Sequence, residues 1–385
     1  MSEPAVRVVI TGAGAITPLG LSAAASWQRL MAGDSAVHEW PDLLAAGYRC
    51  ARAGRIEGFE AEPLRRGRAL AIAAAEQAVE SAGIGLPPER TGVFIGSTLG
   101  ESEAFERAAE GADIDVAGFG VASFGEGLRA RFGLRGASQS LATACAAGNY
   151  AVGAALAALR AGRIDVALAG GAEPFSRLSM VGFSRSRAMA ADACRPFDEQ
   201  RSGMLLGEGA AMFVLERADD ALRRGAVPLA EVVALGLSCD AHHPTAPRPD
   251  GSGMRAAMQR ALDAAGIAPA QVDWVNAHGT GTRASDAAEA LALRDLFGAV
   301  VPRVSGSKGA LGHALGAAAA IELAMCLEGL RAQLVPPTAG HDRADPDAGV
   351  ACTQVATPAR LRWVMNNAFA FGGLNSALLL RAWEA

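Results

Sequence analysis

The chain has 385 residues, of which 51 % are apolar and 19 % charged, enough for two lobes of similar size or one large α/β unit. A net charge of −5 argues against a nucleic-acid binder that draws its affinity from phosphate contacts. No apolar stretch reaches the ~18 residues needed to span a bilayer, and the six cysteines show neither CxxC pairs nor metal-ligand spacing, so a reducing, cytoplasmic setting without a metal is expected.

In chain order, VRVVITGAG (6–14) reads as a buried strand ending in a glycine turn. RALAIAAAEQAVESAG (68–83) reads as a helix closed by Gly83, and TGVFIGSTLG (91–100) as another strand and turn. RIDVALAGGAEP (163–174) and GAAMFVLERADDALRRG (209–225) continue the alternation, which is the grammar of an α/β fold with a buried sheet. An internal echo pairs VFIGSTLG with WVNAHGTG (274–281), and SQSLATACAAGNY with RVSGSKGALGHAL. It predicts two related lobes, 1–228 with a nucleophile and 229–385 with two histidines, meeting at the GAVP interruption.

Four short stretches carry residue types suited to chemistry. In TACAAGNY, Cys145 stands where a strand should turn into a helix, and the helix terminus there is expected to ease loss of the thiol proton. In NAHGTGTRASDAAEA, His278 ends a strand and is followed by the hydroxyls of Thr280 and Thr282, which suit a polar substrate arm. In SKGALGH, Lys308 is the only lysine among 35 basic residues and lies five residues before His313. Its compact ammonium suits a tight polar niche that a guanidinium does not. In NNAFAFGGLN, the Gly372–Gly373 pair allows close backbone approach, and Phe369 and Phe371 could cap an apolar tunnel.

Together these four motifs, in this order across nearly the whole chain, resemble the elongating β-ketoacyl-acyl-carrier-protein synthases of the thiolase superfamily, with a Cys-His-His triad. The resemblance implies a thiolase-like α/β fold of two pseudo-repeated lobes in α-β-α-β-α layers. It implies decarboxylative Claisen condensation of an acyl thioester with malonyl-acyl-carrier protein, in fatty-acid or specialised polyene or polyketide elongation. Cys145 would carry the acyl group, and the N–H groups of Cys145 and Phe371 would form the oxyanion hole. His278 and His313 would stabilise the enolate, while Lys308 would hold them by pairing with a carboxylate such as Glu289. Thr280 and Thr282 would bind phosphopantetheine, and Phe369 and Phe371 the acyl path, with no cofactor bound by the enzyme itself. Arg65, Arg66, Arg68 and Arg201 are candidates for the patch that meets the acidic acyl carrier protein.

The family's structural monovalent-cation site would map onto Asn276, Glu322, Asn366 and Asn367. A homodimer is the implied assembly, or a heterodimer with a related subunit. Ala370 and Leu374 replace the family's common Gly and Thr beside the gate, which implies a restricted gating motion, and residues 97–140 are shorter than usual. Two other readings remain: a non-catalytic partner that shapes the chain-length cavity of another ketosynthase, and a Cys-His thioester hydrolase.

Overall fold

A computed structural model describes residues 6–384. Ten strands build its main sheet: β1 (Val8–Ile16), β2 (Thr91–Gly96), β3 (Ser138–Leu141), β4 (Val166–Glu173), β5 (Gly209–Arg217), β6 (Ala230–Cys239), β7 (Trp274–Asn276), β8 (Arg303–Ser305), β9 (Trp363–Ala370) and β10 (Leu374–Ala382). They lie in the order β8-β7-β9-β10-β6-β1-β5-β4-β2-β3. At the centre β1 and β6 share only two residue pairs, Val9 with Glu231 and Ile10 with Ala230, so the sheet is two five-stranded halves joined by a short seam. From that seam outward each half pairs antiparallel, antiparallel, parallel, parallel. The echo in the sequence falls on equivalent strands, β2 with β7 and β3 with β8.

Seven helices matter for the site: α1 (Arg66–Ala82), α2 (Ala122–Phe132), α3 (Ala147–Arg160), α4 (Arg177–Arg185), α5 (Ser252–Ala265), α6 (Arg283–Phe297) and α7 (Leu315–Ala332). α3 and α7 pack on each other between the half-sheets, α1 and α2 cover the outer face of the first half, and α5 with α6 covers the second. This gives the α-β-α-β-α layering that the resemblance implied. The predicted 68–83 helix starts two residues earlier and ends as expected, with Gly83 at φ 57 donating to Val79 O and Glu80 O.

The central helices are built for close approach. Nearly every residue of α7 is buried, as an all-round apolar sequence requires. A Cβ on Gly148 would lie 2.6 Å from Ala320 N, so α3 and α7 meet almost backbone to backbone. That contact sets how far the cysteine at the head of α3 lies from the histidine at the head of α7.

Candidate active site

Cys145 occupies a single 3-10 turn, Ala144–Ala146, between β3 and α3. The preceding Ala144 has φ +47, a left-handed corner for a residue with a Cβ, of the kind that proteins hold only where the surroundings enforce it. His278 follows β7, and His313 follows the short helical turn Lys308–Leu311. The His313 backbone is locked to the neighbouring loop, its N–H donating to Leu205 O at 2.7 Å while Gly207 N–H donates to His313 O at 3.0 Å. His313 Nε2 lies 3.1 Å from Cys145 Sγ. The two imidazoles are 5.5 Å apart at 81°, and Phe369 stands edge-on to His278. All three reactive side chains are buried and line one cavity of about 170 Å³.

Burial dominates the electrostatics of the sulfur. It pushes the Cys145 thiol up to about 11, and the Glu173 carboxylate adds to the rise; Lys308 and the N–H groups of Cys145 and Phe371 act the other way. Desolvation thus opposes the easing of proton loss expected from the helix terminus. Burial, then the charge of Lys308, holds both histidines well below their ordinary value, so the resting pair is thiol and neutral imidazole.

Lys308 is almost fully buried, and its Nζ donates to His278 O at 2.6 Å and to Glu322 Oε1 at 2.7 Å. Glu322, and not Glu289, is thus its carboxylate partner. Glu289 instead accepts from the N–H groups of His278 and Gly279 at 2.8 and 2.9 Å, shaping the turn that carries His278. The helical spacing explains the difference, because Glu322 faces the Lys308 turn from the second turn of α7, whereas Glu289 on α6 faces the His278 turn.

Thr280 and Thr282 line the cavity and share a 3.0 Å contact between hydroxyls. Phe371 also lines it and packs against Phe183 of α4 at 5.4 Å between ring centroids; Ala188 and Met204 complete that wall. Ala370 sits at φ −98, ψ 159, an extended conformation open to any residue, so its Cβ imposes no strain on the gate as it stands. The left-handed positions are Gly372 and Gly373, and a Cβ on Gly373 would lie 2.5 Å from Asp240 Cβ.

Two of the four arginines proposed for a carrier surface are internal braces. Arg201 is nearly buried against Asp345 and Asp198 O. Arg66 clamps the buried Glu208, with Nε 2.7 Å from Oε2. Arg65 lies over the Phe119 ring and Arg68 reaches Glu62 at 3.4 Å, both at the surface.

Of the four residues the resemblance maps to a cation, Glu322 and Asn367 each keep a buried oxygen, Oε2 and Oδ1, without a hydrogen-bond partner. Asn366 and Asn367 are consecutive on β9, so their side chains leave opposite faces. Asn367 faces Met258 and Glu289, whereas Asn366 is hydrogen-bonded to Asn149 and Asn276.

Sequence reasoning passed over Glu173. It is buried, and its carboxylate accepts from the N–H groups of Thr98, Leu99 and Gly316 and from Ser97 Oγ, tying the head of α7 to the loop after β2. A lone acidic residue inside an otherwise apolar strand, VALAGGAE, was the available signal.

Fold and site together have the form of a condensing enzyme: a cysteine between two half-sheets, faced by two neutral histidines. Residues 5–221 match the family model "Beta-ketoacyl synthase, N-terminal domain" and residues 229–342 the model "Beta-ketoacyl synthase, C-terminal domain". The chain belongs to the beta-ketoacyl synthase family, whose members are acyltransferase-type enzymes. It is 35 % identical to 3-oxoacyl-[acyl-carrier-protein] synthase 2 of Vibrio cholerae, over 97 % of this chain and 99 % of the relative. Among solved structures it resembles the ishigamide ketosynthase/chain length factor, with a TM-score of 0.94 at 34 % identity, covering 99 % of this chain and 100 % of the other. It also resembles the AntDE ketosynthase solved with the acyl-carrier protein AntF, with a TM-score of 0.92 at 27 % identity over 99 % and 100 %. The fold is therefore thiolase-like, and the chemistry is that of elongating condensation.

Proposed function

We propose that the chain extends an acyl thioester by two carbons, using malonyl-acyl-carrier protein as donor and Cys145 as acyl carrier. The observation that carries this reading is the 3.1 Å approach of His313 Nε2 to Cys145 Sγ, with His278 across the same cavity. In the first half-reaction the Cys145 sulfur attacks the incoming thioester carbonyl. The thiol proton passes through His313 to the departing pantetheine sulfur. The N–H groups of Cys145 and Phe371 receive the oxyanion, donors of a kind worth ~10²–10³ in rate each. In the second half-reaction His278 and His313 donate to the malonyl thioester oxygen as CO₂ leaves. The resulting carbanion attacks the acyl-enzyme, and the thiolate released takes up a proton.

Thr280 and Thr282 would hold the pantetheine arm from the cavity wall. The carrier protein would dock on arginines that lie at the surface and are not locked into buried ion pairs. Arg65 and Arg68 remain suitable, and Arg187 and Arg283 join them. Both are exposed and adjoin cavity-lining residues, with no ion pair among the described residues. A second ketosynthase-like subunit is the expected companion, in keeping with the chain length factors solved beside related ketosynthases. Cys145, with the histidine beside it, favours a catalytic role over that of a non-catalytic partner. No described helix is long and apolar enough to cross a membrane, which is consistent with work in the cytoplasm.

Incubation with acyl- and malonyl-carrier protein should release CO₂ and yield a product two carbons longer. Cys145→Ala should abolish elongation. Undiminished elongation by that variant would refute the assignment, and thioester hydrolysis without condensation would favour a hydrolase.

A further inference from the structure

His313 sits in a stretch that cannot hold itself in place. Gly309 and Gly312 precede it, Gly312 at φ 74, and glycine leaves the backbone many conformations to choose from. Its position is set instead by the extended segment 205–208, which is bonded on both sides. On one side Leu205 O accepts from His313 N–H, and Gly207 N–H donates to His313 O. On the other, Leu206 O accepts from Gly54 N–H at 2.8 Å, and Glu208 N–H donates to Gly54 O at 3.0 Å. Gly54, Leu206, Gly207 and His313 thus form a narrow parallel ribbon. A Cβ on Gly207 would lie 2.6 Å from Leu311 O, so the ribbon meets the turn before His313 backbone to backbone.

This ribbon ends in a carboxylate that the chemistry of the proposed function does not use. The Glu208 side chain is 1 % exposed and accepts four N–H bonds. They come from Ile56 N at 2.8 Å, Phe175 N at 3.1 Å, and Arg66 Nε and Nη2 at 2.7 and 2.9 Å. Ile56 lies two residues beyond Gly54, so the backbone and the side chain of Glu208 grip the same segment at two points. Phe175 leads into α4, which carries the cavity residue Phe183. Arg66 begins α1, and it also donates to Ile56 O and Phe59 O at 2.9 Å. Four donors converging on one buried group are satisfied by a carboxylate and left orphaned by an apolar side chain.

We propose that Glu208, clamped by Arg66, is a positioning residue that fixes the 205–208 segment and through it sets the reach of His313 to Cys145. Neither Glu208 nor Arg66 lines the active-site cavity. The proposal rests on the Cys145–His313 pair of the proposed function, but not on condensation itself.

The test reads His313 through the sulfur. A neutral imidazole can turn an Nε2–H to the thiolate and favour it, so displacement of His313 should slow labelling of Cys145 by iodoacetamide. Glu208→Gln puts an amide among four donors. At pH 8 it should slow labelling, followed by mass spectrometry, by roughly 10- to 10²-fold, the worth of a hydrogen bond to a charged group. Loss of a buried negative charge would by itself favour the thiolate and speed labelling, so the sign of the change separates positioning from charge. In a His313→Ala background Glu208→Gln should slow labelling no further, because two changes that act through one contact do not add. Arg66→Lys keeps the charge but loses the two-point bond. It should show the same effect to a smaller degree, and the same cycle run with it covers failure of Glu208→Gln to fold. Labelling of either folded variant at the wild-type rate or faster, or an undiminished effect without His313, overturns the proposal. Elongation by the wild type bears on the proposed function alone, so failure of that reading is told apart from failure of this one.

Discussion

Replacing Lys308 by methionine removes one charge from the best-buried ion pair in the site while keeping most of its volume. The two side chains are 1 % and 2 % exposed, and Nζ is held at 2.7 Å from Glu322 and 2.6 Å from His278 O. Breaking a buried pair by deleting one partner costs about 3–5 kcal/mol, because the remaining charge is left without compensation. An unfolding entropy of ~2.1 cal/mol/K per residue gives roughly 0.8 kcal/mol/K for 385 residues. Lys308→Met should therefore melt about 4–6 °C below wild type at pH 9. Burial already raises the Glu322 carboxyl above its ordinary range, and Lys308 is the main influence lowering it. Without the lysine it rises further. A carboxyl whose pKa is higher folded than unfolded favours the fold at low pH, and that contribution is lost as pH rises through the folded value. The deficit should thus be smaller at pH 6 than at pH 9. The double variant Lys308→Met/Glu322→Leu should recover most of the loss, since a well-packed apolar pair replaces a buried ionic one at little cost. Calorimetric melts of the three proteins at both pH values decide the matter. Wild-type melting of the single variant at pH 9, or a double variant no better than the single, would refute the reasoning.

A thiol held near 11 has a thiolate fraction of only about 10⁻³ at pH 8, so iodoacetamide labelling of Cys145 should climb about tenfold per pH unit from 7 to 10; a plateau below pH 9, read by mass spectrometry, contradicts this. Gly373→Ala adds a Cβ at a left-handed position 2.5 Å from Asp240 Cβ, so the loop behind Phe371 should shift and acylation by long-chain carriers should slow, measured by stopped-flow transfer. Glu173→Gln puts an amide where three N–H groups converge, and should lower stability by about 1–3 kcal/mol in a denaturant titration; an unchanged midpoint would show that the knot at the head of α7 is dispensable.

Much of the site was legible because the chemistry sits at chain positions with local signatures. Strand-to-turn sequences rich in small residues announced Cys145, His278 and His313, and the lone lysine announced Lys308. What escaped were pairings decided by three-dimensional packing. Glu289 and Glu322 are both acidic residues in Ala-rich helices, and only the way α6 and α7 lie against the half-sheets shows which one meets Lys308. Arg66 and Arg201 read as surface charge until Glu208 and Asp345 were found beneath them. The raised thiol pKa was hidden for a similar reason: a helix terminus is visible in one dimension, whereas desolvation is a property of everything that surrounds the sulfur. The repeated lobe order was visible as an echo, but the two-pair seam between β1 and β6 was not.

The strand order has a consequence for synthesis of the protein. β9 and β10, residues 363–382, are made after the eight other strands of the main sheet, yet they lie in the interior of the second half-sheet, with β10 pairing against β6. Until they emerge from the ribosome, β6 and β7 are two unconnected edges, and the hydrogen bonds of Asn366 to Asn149 and Asn276 cannot form. A nascent chain can therefore display Cys145 and both histidines before it can hold them at reacting distance, and loss of residues 363–382 should remove activity as fully as loss of the sulfur itself.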